Sequence, residues 1–134
     1  MSPGSGRHVT AGLIGCAVLT GMALGATPPD PARGARAFAK CYACHSIDPA
    51  ETGLPGPTLH GLFGRRAGSL PDYEFSEAMV EAGRRQGIVW TPETLDRFLA
   101  DPEGTLPGTL MGFVGLQDAA ERRALIEYLQ RATR

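Results

Sequence analysis

The sequence offers no convincing β-strand pattern, no internal repeat and no excess of charge of either sign. Its 134 residues include 13 basic and 14 acidic side chains, which gives a formal net charge of −1 at pH 7. Because proteins that bind nucleic acid usually present a basic surface, this balance argues against nucleic acid as a partner. The length suffices for one domain, and the missing strand pattern predicts an all-α fold.

Cysteine and histidine are also scarce, with three of each in the chain. Two of the cysteines stand in the pentapeptide Cys41-Tyr42-Ala43-Cys44-His45, and Cys-x-x-Cys-His is the attachment signature of a c-type haem. The spacing places the thiols about one helical turn apart (~3.6 residues), which suits thioether bonds to the two vinyl groups of one porphyrin. His45 would reach the iron from the same segment. The pentapeptide therefore predicts one covalently attached haem c.

Cys-x-x-Cys pairs also occur in zinc sites and in thioredoxin-like dithiols. Structural zinc takes four ligands, whereas the third cysteine, Cys16, lies far upstream in an apolar stretch and His60 is isolated. A thioredoxin-like dithiol needs a βαβ context, which this sequence does not provide. The pentapeptide alone leaves both alternatives open, together with a chance match.

Glycine and proline together account for 29 residues. Such a short, loop-rich chain has difficulty burying enough apolar surface by itself. A large buried cofactor would remove that difficulty, because the porphyrin would form the centre of the core.

Residues 1–26 predict a secretory signal peptide. Residues 9–26 carry no charge, Arg7 precedes them, and the segment ends in the small residues Gly25 and Ala26. An uncleaved inner-membrane anchor over residues 9–26 is one alternative. Lipidation at Cys16, which stands in a segment similar to a bacterial lipoprotein box, is another. The prediction is an exported, periplasmic protein.

The predicted domain organisation follows from that signal. Residues 27–33 would form a linker into the first helix, and residues 30–134 would form the folded domain. Cleavage after Ala26 would remove Arg7 and no acidic residue, so 12 basic and 14 acidic residues would remain, a net charge of −2.

Capping signals divide this domain into helices and loops. The predicted order is a helix from Asp30-Pro31 to Cys41, a loop over 46–73, a short helix over 75–82 that Gly83 ends, a helix from Thr91 to Asp101, a loop over 101–117 and a last helix that opens at Asp118.

Four further segments accompany the pentapeptide. They are Gly56-Pro57-Thr58-Leu59-His60-Gly61, Gly87-Ile88-Val89-Trp90, Pro107-Gly108-Thr109-Leu110-Met111-Gly112-Phe113 and Leu125-Ile126-Glu127-Tyr128-Leu129. In this order they resemble the class I c-type cytochromes, the mitochondrial-type and bacterial soluble cytochromes c, over roughly residues 30–132. The resemblance implies the cytochrome c fold, in which helices and loops wrap around one covalently bound haem.

The resemblance also implies the ligands of the haem. Cys41 and Cys44 would form the thioether bonds, and His45 and Met111 would be the two axial ligands of the iron. The carbonyl of Pro57 would accept a hydrogen bond from the other ring nitrogen of His45. An acceptor of that kind fixes the tautomer of a ligating histidine and strengthens it as a ligand.

Three more roles concern the haem propionates. Trp90 would donate its indole N–H to one propionate, Thr109 would also bond a propionate, and Arg65 would offset the buried negative charge. Farther from the haem, Gly34 and Phe38 would pack against Leu125 and Tyr128, where the terminal helices of the fold cross. Gly34 would allow a close approach there because it has no side chain.

The chain departs from the family pattern at several positions. Phe98 and Phe75 stand where many members have a tyrosine, and Tyr73 would supply a substitute hydroxyl for a propionate. Leu110 replaces the lysine that commonly precedes the methionine ligand. The partner-binding surface of the mitochondrial type is rich in lysine, whereas this chain has Lys40 alone. Arginines at 33, 36, 65, 66, 84 and 85 are candidates for part of that work, and a solvated surface is the alternative for most of them.

The resemblance implies an electron carrier and not an enzyme. The protein would shuttle single electrons, as a monomer, between respiratory or photosynthetic membrane complexes. Its partners would be a cytochrome bc1-type complex and a terminal oxidase or a reaction centre, contacted transiently. A membrane-tethered haem subunit of an oxidase is one alternative, and a weak haem peroxidase, if Met111 binds the iron weakly, is the other.

Overall fold

The described part of the chain, residues 1–4 and 30–134 of a computed structural model, confirms the predicted all-α fold. Its helices are α1 (Pro31–Phe38), α2 (Glu77–Arg84), α3 (Pro92–Ala100), α4 (Pro102–Thr105) and α5 (Ala119–Ala132). Within these residues the β pairing is limited to one isolated antiparallel bridge between Arg66 and Val89. No helix of the described residues has the length and apolarity needed to cross a membrane.

Nearly all of the predicted signal peptide, its anchor and lipidation alternatives, and residues 27–29 of the predicted linker fall on residues 5–29, outside the described residues. They stay predictions. Residues 31–33 of the predicted linker already belong to α1.

The first and last helices begin where their capping residues predict. The Asp30 carboxylate accepts the Ala32 N–H at 2.9 Å and Pro31 opens α1. Asp118 likewise accepts the Ala120 N–H at 2.8 Å at the start of α5. The α-helical part of α1 ends at Phe38 and not at Cys41, and the chain continues through Cys44 in hydrogen-bonded turns.

The predicted bounds of α2 were wrong at both ends. The Ser76 hydroxyl accepts the Met79 N–H at 3.2 Å, so the helix begins at Glu77. Gly83, predicted to end the helix, lies inside it. A Cβ built on Gly83 would lie 2.9 Å from the Ala67 carbonyl carbon, so the glycine serves a close approach between the helix and a loop.

Helix α3 begins as predicted, with Thr91 as its N-cap. The loop predicted over 101–117 contains a short helix, α4, which that prediction missed. The Asp101 carboxylate accepts the Gly104 N–H at 2.9 Å and Pro102 occupies the first helical position, so a single turn forms directly after α3.

Helices α1 and α5 cross closely, as predicted. A Cβ on Gly34 would lie 2.6 Å from the Tyr128 Cβ, so only glycine permits this separation. The Phe38 and Tyr128 rings pack with centroids 5.6 Å apart, and Leu125 is fully buried beneath them. Because adding atoms to a packed contact of this kind forces neighbours apart, the crossing tolerates little change in volume.

Candidate haem-binding site

A cavity of about 320 Å³ opens among the loops and α2, α3 and α5. All nine predicted site residues line it: Cys41, Cys44, His45, Pro57, Arg65, Tyr73, Trp90, Thr109 and Met111. These residues come from four separate stretches of the chain. The fold therefore brings together on one surface what the sequence distributes over 71 positions.

The pentapeptide forms one helical turn at the cavity wall. The Cys44 and His45 N–H groups both donate to the Cys41 carbonyl, at 3.0 and 2.9 Å. The side chain of Cys41 is half-buried and that of Cys44 is exposed. The turn presents two thiols and an imidazole to the same space.

A backbone carbonyl fixes the orientation of the His45 ring. Its Nδ1 lies 2.7 Å from the Pro57 carbonyl oxygen. Because a carbonyl can only accept a hydrogen bond, Nδ1 carries the proton and the Nε2 lone pair is left for an electrophile. This is the arrangement that a metal-ligating histidine usually shows.

Sequence reasoning missed one residue of this arrangement, Gly56. A Cβ at this position would lie 2.5 Å from the His45 Cε1 atom, so any side chain would displace the ring. The Gly-Pro dipeptide itself was the available signal, since the proline carbonyl can approach the imidazole only if the preceding residue is small.

Met111 lies in the loop after α4, on the wall of the same cavity. Its backbone N–H donates to the Thr109 hydroxyl at 3.4 Å, and its carbonyl accepts the Phe113 N–H at 2.8 Å. These bonds tighten the loop around the half-buried methionine. The competing methionine, Met79, also lines the cavity, from α2.

Two polar side chains on the wall already have partners in the protein. Arg65 donates to the Thr58 carbonyl at 2.9 Å, and burial lowers the pKa of its guanidinium, which stays charged because arginine starts from so high a value. The Tyr73 hydroxyl donates to the Pro55 carbonyl at 2.7 Å. A phenol has one hydrogen to donate, so in this arrangement the hydroxyl predicted for a propionate is used by the backbone.

Trp90 behaves differently. Its side chain is buried at 9% exposure, its ring packs 5.3 Å from that of Phe98, and none of the described residues accepts a hydrogen bond from its indole N–H. Within the described residues no buried side-chain nitrogen or oxygen lacks a partner, so the indole nitrogen is not sealed from solvent. Its N–H is therefore available to a polar group bound in the cavity.

These observations fit a haem and not a zinc ion. The cavity offers one imidazole with a free Nε2, the thioethers of Met79 and Met111, two thiols, the indole of Trp90 and walls that are mostly apolar. Across residues 1–4 and 30–134, no group of three or more His, Cys, Asp and Glu side chains is placed to hold a metal ion.

Comparison with known proteins agrees with this assignment. The family model described as Cytochrome c matches residues 31–133. Cytochrome c2 from Agrobacterium tumefaciens (strain II Chrys) is 44% identical over 100 residues, which cover 75% of this chain and 89% of that protein. Cytochrome c2 from Blastochloris viridis is 36% identical over 118 residues, or 88% of this chain and 90% of that protein.

A solved structure is similar over the same region. Cytochrome cH from Methylobacterium extorquens superposes with a TM-score of 0.66 and 39% sequence identity. The alignment covers 76% of this chain and 98% of that one.

Proposed function

Since the chain belongs to the cytochrome c family and is a class I c-type cytochrome, we propose that it shuttles single electrons between respiratory or photosynthetic membrane complexes. Membership of the family means that it carries a covalently attached haem c and that its role is electron transport. When bound, the haem iron accepts and releases one electron.

Cys41 and Cys44 would hold the haem by thioether bonds, and His45 and Met111 would ligate its iron. The observation that carries this proposal is the 2.7 Å contact between His45 Nδ1 and the Pro57 carbonyl, which leaves Nε2 free on the wall that Met111 shares. A neutral thioether paired with histidine raises the reduction potential of a haem. Two protein ligands would also leave no open position for a substrate.

Trp90, Thr109 and Arg65 hold the propionate side. The unpartnered indole N–H of Trp90 supports its role as a donor, and the half-buried Arg65 supplies a positive charge inside the cavity wall. Tyr73 takes part by fixing the Pro55 carbonyl, next to the Gly56-Pro57 segment that orients His45. It would reach a propionate only by giving up that bond.

The protein functions in the periplasm. Residues 1–26 act as a cleaved signal peptide, residues 27–33 as a linker that runs into the first turn of α1, and residues 30–134 as the carrier domain. The donor is a cytochrome bc1-type complex and the acceptor is a terminal oxidase or a reaction centre. Similarity to cytochromes c2 of bacteria supports an exchange with redox partners of this kind.

The ferric absorption spectrum of the purified protein tests the ligand set. We expect the weak near-infrared charge-transfer band of a methionine–iron bond, and we expect Met111→Ala to abolish it. Met79→Leu is the matched control and should keep the band. A wild-type ferric protein that lacks the band and shows high-spin features would reject the carrier and favour a peroxidase.

Cell fractionation tests the location. We expect the protein in the periplasmic fraction with its N-terminus near residue 27. Recovery in washed membranes with residues 1–26 retained would instead identify a tethered haem subunit.

A further inference from the structure

The middle of the loop that carries Met111 has few hydrogen bonds. The Met111 N–H donates to the Thr109 hydroxyl at 3.4 Å and the Phe113 N–H donates to the Met111 carbonyl at 2.8 Å, so both bonds stay inside the loop. Within residues 30–134, no hydrogen bond joins residues 110–115 to another part of the chain. A segment with so few bonds opens more easily than the helices around it. The position of Met111 therefore depends on how the two ends of the loop are held.

The end of the loop is held against α3. The Leu116 N–H donates to the Leu99 carbonyl at 2.8 Å, and the Gln117 side-chain amide donates to the Ala100 carbonyl at 3.1 Å. A Cβ on Gly115 would lie 3.0 Å from the Ala100 carbonyl carbon, so the backbone of the loop passes close to the end of the helix. The loop thereby supplies partners for carbonyls that the last turn of a helix leaves free.

Arg122 on α5 joins this end of the loop to two helices. Its guanidinium donates to the Leu116 carbonyl at 2.7 Å and to the Gln117 carbonyl at 3.2 Å. It also forms an ion pair with the Asp96 carboxylate on α3 at 2.9 Å. The Arg122 side chain is only 12% exposed, and a buried charge is costly unless its partners satisfy it. Because the guanidinium carries five N–H donors in a rigid plane, one side chain can hold all three acceptors at once.

The start of the loop is held less firmly by side chains. The Gly108 N–H donates to the Glu103 carboxylate at 3.1 Å, in an exposed position. Water competes for exposed groups, so this contact contributes less than the more shielded contacts of Arg122. Arg122 is therefore the stronger of the two side-chain restraints on the loop.

We propose that Arg122 is a positioning residue for Met111: it holds the end of the loop at Leu116 and Gln117 and thereby slows the departure of the methionine from the iron. The inference rests on the proposed His/Met ligation. Arg122 does not line the haem cavity, so it acts on the ligand only through the loop. Without the guanidinium, the Leu116 and Gln117 carbonyls lose their partner on α5 and the loop opens more often.

The test measures how fast imidazole replaces Met111 in the haem-loaded, full-length ferric protein. Imidazole can bind the iron only after the methionine has left, so the stopped-flow rate at saturating imidazole equals the rate of loop opening. We expect Arg122→Met to raise this limiting rate about tenfold, because several hydrogen bonds from a charged group are lost at once. Arg122→Lys keeps the charge beside Asp96 but cannot hold all three acceptors, and we expect an increase of about threefold.

Two controls separate positioning from general stability. Arg123 is the next residue of α5 and is exposed, so Arg123→Met should change the limiting rate by less than about twofold. Gly34→Ala should lower the free energy of unfolding, because its Cβ would lie 2.6 Å from the Tyr128 Cβ at the crossing of α1 and α5. Since Gly34 does not touch the loop, this variant should also leave the limiting rate within about twofold of the wild-type value.

Equal limiting rates for Arg122→Met and the wild-type protein would overturn the inference. If Arg122→Met does not fold or bind haem, an unchanged rate in Arg122→Lys overturns it in the same way. An increase in Gly34→Ala as large as that in Arg122→Met would show that lost stability alone opens the loop, and the positioning role would be rejected.

The near-infrared methionine–iron band of the wild-type protein separates this inference from the proposed function. If the band is absent, the proposed ligation fails and this inference fails with it. If the band is present and the limiting rates of all variants coincide, the proposed ligation stands and the role of Arg122 alone is overturned.

Discussion

Two regions of the molecule differ in what they pack against. One is the crossing of α1 and α5, and the other is the set of loops around the cavity. At the crossing, Gly34 lies against Tyr128 and the chain supplies both surfaces. Ion pairs join the same parts of the chain, Arg33 with Asp118 at 2.7 Å and Lys40 with Glu121 at 2.6 Å. Around the cavity, in contrast, long loops present apolar side chains and an unpartnered indole to a space of about 320 Å³. The crossing is complete within the chain, whereas the loops depend on a group from outside it.

Loss of both attachment thiols should have the largest effect, and it should act on the loops around the cavity far more than on the crossing of α1 and α5. In the double variant Cys41→Ala with Cys44→Ala, we expect no haem to remain bound after denaturing electrophoresis, as judged by haem staining. We also expect hydrogen exchange to speed up in the loops over 46–73 and 106–117 far more than in α5, because those loops lose their packing partner. Cys16→Ala is the matched control and should keep the haem. Covalent haem in the double variant would contradict the attachment site.

A larger side chain at Gly34 should destabilise the crossing of α1 and α5. We expect Gly34→Leu to lower the free energy of unfolding by about 3 kcal/mol, because the leucine must displace Tyr128 or separate the helices. Ala35→Leu adds a leucine to the exposed face of the same helix and should change the free energy by less than about 0.5 kcal/mol. Chemical denaturation checks both values. Equal effects would show that the close approach at Gly34 does not limit stability.

Most of the positive side chains considered for partner binding are already paired or half-buried. Of the six arginines considered for partner binding, Arg33, Arg36 and Arg85 pair with carboxylates, and Arg65 is half-buried in the cavity wall. Lys40 is paired as well. Arg66 and Arg84 make no ion pair within the described residues, and Arg66 lines the cavity. Because the formal net charge is −1, only such local positive charge is available to steer a partner.

We expect the association rate with a purified cytochrome bc1-type complex to fall by less than about tenfold between low and physiological salt. Leu110→Lys, at a side chain that is 81% exposed, should make the salt dependence steeper. Stopped-flow kinetics measures both. A steep fall for the wild-type protein would contradict the prediction.

The smallest expected effect concerns acid stability at the crossing. The N–H groups of Ala120 and Glu121, followed by the charge of Arg33, hold the pKa of Asp118 below its ordinary value of 3.8. A lowered pKa in the folded state stabilises the protein above the ordinary value, and this stabilisation is lost as the pH falls through the folded-state pKa. Asp118→Asn keeps a helix cap without the charge. We expect its melting temperature to be slightly below that of the wild-type protein at pH 7 and equal to it at about pH 2.

The sequence predicted the features that short-range chemistry determines. Asp30, Thr91 and Asp118 cap their helices because each bonds an N–H two or three residues ahead. The bounds of α2 could not be read in this way. Gly83 looks like a helix terminator in sequence, but its contact with Ala67, 16 positions away, keeps it inside the helix.

The same distinction applies to the site. All nine candidate residues that the family resemblance implied line one cavity. They could be identified from the sequence because each belongs to a motif with a fixed order along the chain. The bond of Tyr73 to the Pro55 carbonyl was not predictable, since it joins two loops whose mutual placement depends on the whole fold. The steric role of Gly56 against His45 likewise appears only in three dimensions.

The single lysine has a practical consequence. Lys40 lies on the cavity wall beside the attachment cysteines and is half-exposed despite its pairing with Glu121. Reagents directed at primary amines can therefore modify this chain at Lys40 and at the N-terminal amine. A fluorophore placed on Lys40 would report on any molecule that covers the entrance of the haem crevice.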